Sequence, residues 1–181
     1  MYVPTQMFLT RGVGIHREKL ASFEMALRNA GIAPYNIVEV SSIFPPGCEM
    51  ISREAGMAAL TPGQIVHAVL SRCETDEPYR HIAAAVGVAR PADPAMYGYL
   101  SEHHACGQSE ADAGRYAEEL AAMMLATILG VPFDPEDPHD EQRKNWRISG
   151  EMPEVYSIAQ GAVGDEEGRW TTVVTASVLI P

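Results

Sequence analysis

Two adjacent serines, Ser41 and Ser42, end the apolar, β-branched run of the segment YNIVEVSSIFPPG, residues 35–47. A strand that is about to turn normally ends in Gly, Asn or Asp, whereas the rigid pair Pro45-Pro46 follows here. A serine hydroxyl can attack the carbonyl of the preceding residue when the backbone is strained and the developing oxyanion is stabilised. The segment therefore has the residue types for an N→O acyl shift.

Such a shift turns the amide into an ester, and elimination from the ester leaves a dehydroalanine. Hydrolysis of the dehydroalanine releases ammonia and leaves a pyruvoyl group, whose keto carbon forms a Schiff base with an amine and serves as an electron sink. This chemistry needs an amide donor for the oxyanion and an acid that protonates the carbanion. A Ser-Ser pair alone does not predict it, so other residues must supply these groups.

The densest group of potential metal ligands lies between residues 102 and 106 and consists of Glu102, His103, His104 and Cys106. Adjacent strand residues point to opposite faces, so at most alternate members can share one ion. No second paired cluster supplies the further ligands that zinc needs. We therefore predict no metal site, and we interpret the histidines as polar residues at a strand end and Cys106 as an inert buried thiol.

Other catalytic motifs are absent. Gly12 and Gly14 in RGVGIH lack the third glycine and the surrounding βαβ unit of a dinucleotide loop. The chain contains neither a Walker A loop nor a Gly-x-Ser-x-Gly elbow. Dinucleotide-dependent, P-loop and serine-hydrolase chemistries are therefore not favoured.

Two helices are predicted from helical spacing and end signals. The first covers 17–30 and ends before Gly31 as its C-cap, and its predicted apolar face consists of Leu20, Phe23, Leu27 and Ala30. The second begins after Ser109, which forms a capping box with Asp112, and ends before Gly130. Its predicted apolar stripe consists of Tyr116, Leu120, Met123, Met124 and Ile128.

Strands account for most of the remaining chain. They are predicted over 35–42, roughly 64–73, 81–90, 96–107 and the two closing segments VYSIAQGAV and WTTVVTASVLI. The run 81–90 consists of small apolar residues and predicts a strand buried on both faces. Residues 134–144 carry two prolines among many acids and are interpreted as a solvated loop. The order of elements predicts an α+β fold with a mostly antiparallel sheet.

Composition narrows the classes of partner. The 181 residues are expected to form one domain, 1–181. A net charge of −11 argues against nucleic acid or an anionic membrane as partner and suits a small cationic ligand. The three cysteines are odd in number and far apart in sequence, so they indicate no disulfide framework. We predict a cytoplasmic protein, because no stretch approaches the length of a membrane span or has the composition of a signal peptide.

Two segments carry a resemblance to a known family. NAGIAPYNIVEVSSIFPPGCEMI, with its Asn six residues before a serine in Ser-Ser-Ile-x-Pro-Pro, resembles the self-cleavage region of the pyruvoyl-dependent arginine decarboxylases. YGYLSEHHACG is similar to the second motif of that family, which carries an active-site glutamate. The resemblance covers residues 10 to 130 and the final strand, and it is weakest over the acidic segment 134–144.

The resemblance implies a role for five residues. Ser42 would become the pyruvoyl cofactor, and Ser41 would provide the new carboxy terminus. Asn36 would donate to the oxyanion, on a strand expected to bend back towards the scissile bond. Glu102 would be the general acid, helped by an apolar wall to which Tyr97 and Tyr99 contribute. Glu24 would recognise the substrate guanidinium in place of the aspartate of archaeal relatives, although an exposed helix residue is an equally good interpretation.

The resemblance also implies a fold, an assembly and a reaction. The fold would be a four-layer αββα sandwich, and the active site would lie between protomers of a homotrimer of αβ protomers or a multiple of it. The proenzyme would cleave into 1–41, the β chain, and 42–181, the α chain. It would then convert L-arginine to agmatine and carbon dioxide without pyridoxal phosphate or a metal, as used in polyamine biosynthesis and in acid resistance.

Two alternatives remain at this stage. The same mechanism could act on another amino acid such as histidine. In a different class, the chain could be an unprocessed, non-catalytic trimeric binding protein with the same fold. Cleavage between Ser41 and Ser42 separates the enzyme from the binding protein, and a decarboxylation assay across basic amino acids separates the substrates.

Overall fold

A computed structural model describes residues 2–134, 146 and 152–181. In this part of the chain the helices are α1 (Lys19–Ala30), α2 (Arg53–Ala58) and α3 (Glu110–Leu129). The strands are β1 (Gln6–His16), β2 (Asn36–Glu39), β3 (Ile43–Phe44), β4 (Glu49–Met50), β5 (Ile65–Thr75), β6 (His81–Arg90), β7 (Gly98–Cys106), β8 (Glu154–Val163) and β9 (Trp170–Ile180).

The strands form two sheets. The first sheet has the order β2-β5-β9-β1-β4, and the second sheet has the order β3-β7-β6-β8. Short parallel pairs join β2 to β5 and β1 to β4, while every other pairing between the described strands is antiparallel. The predicted α+β class with mostly antiparallel sheets is therefore confirmed.

The two sheets face each other between helical layers. Apolar side chains from both sheets form the layer between them: Met7, Val69 and Leu179 of the first sheet and Val86, Val88 and Leu100 of the second. α1 packs on the outer face of the first sheet, against β1 and β9, and α3 packs on the outer face of the second, against β6, β7 and β8. The αββα sandwich implied by the family resemblance is the observed arrangement.

α1 approaches the first sheet unusually closely because β1 carries two glycines. A Cβ atom at Gly12 would lie 2.3 Å from the Ala26 carbonyl oxygen, and one at Gly14 would lie 2.2 Å from the Ser22 carbonyl oxygen. Only residues without a side chain allow helix backbone and strand backbone to pack at this distance. The glycines of RGVGIH therefore serve helix packing.

α3 uses the same arrangement on the second sheet. A Cβ atom at Gly87 of β6 would lie 2.1 Å from the carbonyl oxygen of Ala117. Ala113, Ala117 and Ala121 are fully buried at this contact. Ser101 on β7 adds a hydrogen bond from its hydroxyl to the Ala117 carbonyl at 2.5 Å. The second helix–sheet contact is therefore also built from small residues.

The predicted apolar faces of both helices were partly wrong. Leu20, assigned to the buried face of α1, is 79% exposed, whereas Ala30 of the same predicted face is buried, as are Ser22 and Ala26. Phe23 and Leu27 of the predicted face are partly buried and pack against the core. Tyr116, assigned to the buried face of α3, is 50% exposed. Large apolar residues mark the core face in most amphipathic helices, but here the glycines of the strands place small side chains at the points of closest approach. The predicted C-caps Gly31 and Gly130 and the N-cap Ser109 are confirmed.

Most predicted strands match the described ones. β6 is buried on both faces, as its composition predicted. The strand predicted over 35–42 is shorter than expected and ends at Glu39, because the chain then leaves the first sheet. The acidic segment 134–144 lies, apart from Asp134, outside the described residues, as does the loop assigned to it.

Candidate active site

The two serines lie where the chain passes from the first sheet to the second. Val40, Ser41 and Ser42 connect β2, which pairs with β5, to β3, which pairs with β7. The Ser42 carbonyl accepts a hydrogen bond from the Leu100 amide of β7 at 2.8 Å. The Ser-Ser pair is thus held at the margin where the two sheets meet.

The backbone at this crossover forms a tight turn centred on Ser42. The amide of Ile43 donates to the Ser41 carbonyl oxygen at 3.0 Å, which closes a three-residue turn. Ser41 is exposed and Ser42 is half-buried, while Phe44 immediately beyond is only 2% exposed and anchors the segment in the layer between the sheets. The carbonyl that a Ser42 hydroxyl would attack therefore already has a backbone donor.

The Pro-Pro bend is a second turn directly beyond β3. The Cys48 amide donates to the Pro45 carbonyl at 3.2 Å, and Gly47 has a φ of 67°. A glycine with positive φ at the third position and a proline at the second are typical of a type II turn. The Gly47 amide also donates to the Pro94 carbonyl at 2.8 Å, so the turn is tied to the loop before β7.

Ser42 and Glu102 are the two predicted site residues that the structure brings into contact. The Ser42 hydroxyl donates to Glu102 Oε2 at 2.5 Å across 60 residues of sequence. Glu102 is exposed, but Leu100 lies two positions earlier on the same face of β7 and is fully buried between the sheets. The carboxylate therefore stands at the edge of the apolar layer, where it forms a charge-assisted hydrogen bond with the serine.

Side chains of the first sheet fix the strand that carries Glu102. Ser71 of β5 donates its hydroxyl to the His103 carbonyl at 2.6 Å. Cys73 of β5 donates its thiol to the Ala105 carbonyl at 3.6 Å. β3 pairs with β7 only at Gly98 and Tyr99. The hydrogen bonds from Ser71 and Cys73 hold the part of β7 that follows, and so help to position the strand next to Ser42.

The expected apolar wall beside Glu102 was wrong in one respect. Alternation along β7 directs Tyr99 to the face opposite Glu102, and Tyr99 packs in the cluster under α3 with Leu125 and Val131. Tyr97 contacts Tyr99 edge-on, with ring centroids 5.8 Å apart. On the face of β7 that carries Glu102, the buried apolar residue is Leu100.

Asn36 does not reach the Ser41 carbonyl within one chain. Its side-chain amide donates to the Gly63 carbonyl at 2.8 Å, and β2 runs extended from Asn36 until the Val40 amide bonds to the Ala68 carbonyl. At about 3.3 Å per residue, Asn36 and Val40 are about 13 Å apart. The strand does not bend back towards the serines, so the expected geometry for Asn36 was wrong for a single protomer.

Glu24 also lies apart from Ser42 and Glu102. It sits on α1, on the outer face of the first sheet, and its carboxylate binds Arg28 one helical turn later at 2.9 Å. Its side chain is 44% exposed. Within one chain, Glu24 is therefore an accessible surface carboxylate in a helical ion pair.

The histidines and Cys106 divide between the two faces of β7. His103 faces α3, where its Nε2 atom bonds to Gln108 at 2.9 Å and its ring lies 4.4 Å from the ring of Tyr116. Among the described residues, no group of three His, Cys, Asp or Glu side chains is arranged to hold a metal ion. Cys106 is exposed, so its interpretation as a buried thiol was wrong, and its sulfur lies 3.8 Å from that of Cys73.

Comparison with known proteins identifies the family. The model of the pyruvoyl-dependent arginine decarboxylase family matches residues 6–181. The chain belongs to this family. It is 52% identical to the pyruvoyl-dependent arginine decarboxylase of Nitrosopumilus maritimus over 98% of this chain and 97% of that relative. It is 50% identical to pyruvoyl-dependent arginine decarboxylase 2 of Methanosarcina mazei over the same shares of the two chains.

Sequence reasoning missed the backbone groups of this family member's site. The amides of Ile43 and Leu100 have no side-chain signature, because any non-proline residue offers the same donor. Ser71 and Cys73 were also missed, since nothing in the sequence places β5 beside the edge of β7.

In the described part of the chain, no helix has the length and apolar character needed to cross a membrane.

Proposed function

We propose that this protein is a self-processing enzyme that decarboxylates L-arginine to agmatine and carbon dioxide. The observation that carries the proposal is the 2.5 Å hydrogen bond between Ser42 and Glu102 at the crossover between the sheets, in a chain of this family. The relatives are named for arginine, which favours it over histidine as substrate. The same names do not favour a non-catalytic binding protein.

Self-cleavage begins with attack of the Ser42 hydroxyl on the Ser41 carbonyl carbon. The C–N bond between the two serines breaks, a C–O bond forms, and the proton of the hydroxyl passes to the released nitrogen. The Ile43 amide, already 3.0 Å from the Ser41 oxygen, stabilises the oxyanion on the way. Elimination then frees the Ser41 carboxylate, and one water molecule converts the resulting dehydroalanine to a keto group and ammonia.

The two products, 1–41 and 42–181, remain associated after the cut. The shorter chain contains β1, which pairs with β9 along its whole length from Gln6 to His16. It also contains α1, whose small-residue face packs on the first sheet. Cleavage therefore alters the crossover without removing a layer of the sandwich.

The family implies a pyruvoyl prosthetic group, and the surroundings of Ser42 fit a serine that becomes one. That group supplies an electron sink for the amine of the substrate. Glu102, within hydrogen-bond distance of the position of Ser42, returns a proton to the α-carbon after carbon dioxide has left. No metal and no pyridoxal phosphate take part in this scheme.

Glu24 and Asn36 act, in this proposal, from a neighbouring copy of the chain. Neither residue contacts Ser42 within one protomer, and the Ser42–Glu102 pair lies open at the surface of a single chain. A homotrimer, or a multiple of it, would shield the pair from water and bring the Glu24 carboxylate to a substrate guanidinium. We assign the enzyme to the cytoplasm, because its three cysteines are free thiols and form no structural disulfide framework.

Release of carbon dioxide tests the substrate assignment. The purified protein is incubated separately with arginine, histidine, ornithine and lysine, and carbon dioxide and the amine product are quantified. We expect release from arginine with formation of agmatine, and far slower release from the other three. A preference for histidine, or no release from arginine by fully cleaved protein, would contradict the proposal.

Mixed assemblies test whether Asn36 acts across an interface. Asn36→Ala alone should slow cleavage by about 10²- to 10³-fold, because an oxyanion donor is lost. Co-assembled with Ser42→Ala chains, which keep Asn36 but cannot cleave, the Asn36→Ala chains should regain cleavage. Native mass spectrometry should find three copies or a multiple. Cleavage that stays slow in verified mixed trimers would assign Asn36 to its own chain.

A further inference from the structure

Two cysteines from different sheets lie side by side at the end of the strand that carries Glu102. Cys73 is on β5 of the first sheet and Cys106 is the last residue of β7 in the second. Their sulfur atoms are 3.8 Å apart, and Cys73 also bonds to the carbonyl of Ala105. The two thiols therefore lie close together although they belong to different sheets.

We infer that Cys73 and Cys106 are a reversible dithiol–disulfide pair that exchanges with low-molecular-weight disulfides. The sulfur atoms must approach by about 1.8 Å to reach the S–S bond length of about 2 Å. This is a small movement for one exposed side chain and one at the edge of a layer. The inference does not depend on the proposed function.

The environments of the two thiols set the order of the reaction. Cys106 is exposed, whereas Cys73 is only 6% exposed. Burial raises the pKa of Cys73 to about 11, and the hydrogen bond and charge of Cys106 add to the increase. Cys106 is therefore the thiol that meets the oxidant. The contributions of Cys106 to the high pKa of Cys73 disappear once Cys106 is bonded to another sulfur.

The exchange is balanced with a small disulfide as oxidant. The Cys106 thiolate attacks one sulfur of the small disulfide, whose S–S bond breaks and releases one small thiol. The Cys73 thiolate then attacks the Cys106 sulfur, forms the Cys73–Cys106 bond and releases the second small thiol. The two protons of the protein thiols pass to the two small thiols. Two protein sulfurs are oxidised and two sulfurs of the oxidant are reduced.

The bond would join the two sheets at the strand that carries the candidate acid. Glu102 and Cys106 are four residues apart on one face of β7. Both cysteines belong to 42–181, so cleavage at Ser41–Ser42 leaves the pair within one chain. Cys48, the third cysteine, is buried in the layer between the sheets, and burial raises its pKa to about 11. It provides an internal control.

The test is a redox titration of the intact protein with reduced and oxidised glutathione. Free thiols are blocked by an alkylating agent at each ratio, and tryptic peptides are analysed without reduction. Trypsin separates Cys73, in 73–80, from Cys106, in 81–115. We expect one linked species of these two peptides, about 2 Da lighter than their sum, which disappears on addition of dithiothreitol.

Matched variants decide the assignment. Cys48→Ser should leave the linked peptides unchanged, whereas Cys73→Ser should stop the reaction at glutathione attached to Cys106. Unmodified thiols, or only glutathionylated Cys106, in the wild-type chain at the most oxidising ratio would overturn the inference. Linkage through Cys48 or between two chains would also overturn it. Circular dichroism on each variant verifies that the reacting protein is folded.

Discussion

The crossover between the sheets and the contacts between helices and sheets are built in opposite ways. At the crossover, Ser41 is exposed and Ser42 is half-buried, and single hydrogen bonds hold the backbone. At the helix–sheet contacts, glycines bring backbones so close that no Cβ atom would fit. The residues that react therefore lie outside the most closely packed parts of the structure. Changes at the crossover should alter chemistry and leave stability intact, and changes at the contacts should do the reverse.

The largest effect is expected from removal of the attacking hydroxyl. Ser42→Ala should abolish cleavage completely, because no other group can form the ester with the Ser41 carbonyl. Ser41→Ala is the matched control and should still cleave, since Ser41 contributes its carbonyl. Denaturing mass spectrometry measures the intact and cleaved masses, and the thermal unfolding midpoint reports the fold. Normal fragments from Ser42→Ala would show that the cleavage site lies elsewhere.

Glu102→Gln should separate cleavage from turnover. The Gln side chain keeps an oxygen that accepts the hydrogen bond of Ser42, so we expect cleavage to proceed. It cannot donate an acidic proton to the α-carbon, so decarboxylation should fall by about 10²- to 10⁴-fold. Steady-state kinetics on the cleaved variant measures this loss. Glu166→Gln, in an exposed turn, should keep full activity, and full activity of Glu102→Gln would remove Glu102 from the reaction.

Gly87→Ala should have a large effect on stability. The added Cβ atom would lie 2.1 Å from the backbone oxygen of Ala117, so strand and helix must move apart at a cost of about 3 kcal/mol. Gly130→Ala is the control, because a Cβ atom there meets nothing within 4 Å and only the positive φ of 66° is strained, at about 1 kcal/mol. Urea unfolding of both variants gives the difference, and equal losses would contradict the packing account.

The smallest effect concerns Asp165, in the turn before β9. Hydrogen bonds from Arg169 lower the pKa of Asp165 below its ordinary value of 3.8. The unfolded chain therefore binds this proton first as the pH falls, so the stabilisation is full above about pH 3.8 and is lost progressively as the pH falls through the lowered pKa of the folded state. Asp165→Asn should lower stability slightly at neutral pH and by less at low pH. Urea unfolding at about pH 7 and about pH 3 measures this, and an equal deficit at both would contradict it.

Local sequence signals predicted the ends of the helices better than the residues that the helices bury. The caps Gly31, Ser109 and Gly130 act within a few residues, so the ends of α1 and α3 were predictable from sequence. The residues at the closest helix–sheet contacts were not, because they depend on which helix face meets Gly12 of β1 and Gly87 of β6. A ranking by side-chain size selects Leu20 and Tyr116, and both are exposed.

The residues of the candidate site were predictable where a family motif identified them. Ser42 and Glu102 were paired through the family resemblance, and no spacing rule connects residues that are 60 positions apart. The Ile43 amide and the approach of Cys73 to Cys106 depend on the crossover and on the packing of one sheet against the other. Neither leaves a pattern in the sequence. Asn36 was assigned to the wrong geometry because β2 stays extended along β5.

The mass of the purified wild-type chain under denaturing conditions tests the central claim most directly. The account predicts two species of roughly 4.5 and 15 kDa, corresponding to 1–41 and 42–181 of the 19.7 kDa chain. The larger should be lighter, by one molecule of ammonia, than a fragment with an amino-terminal serine. A single intact species after prolonged incubation, or a larger fragment that still begins with serine, would contradict the account.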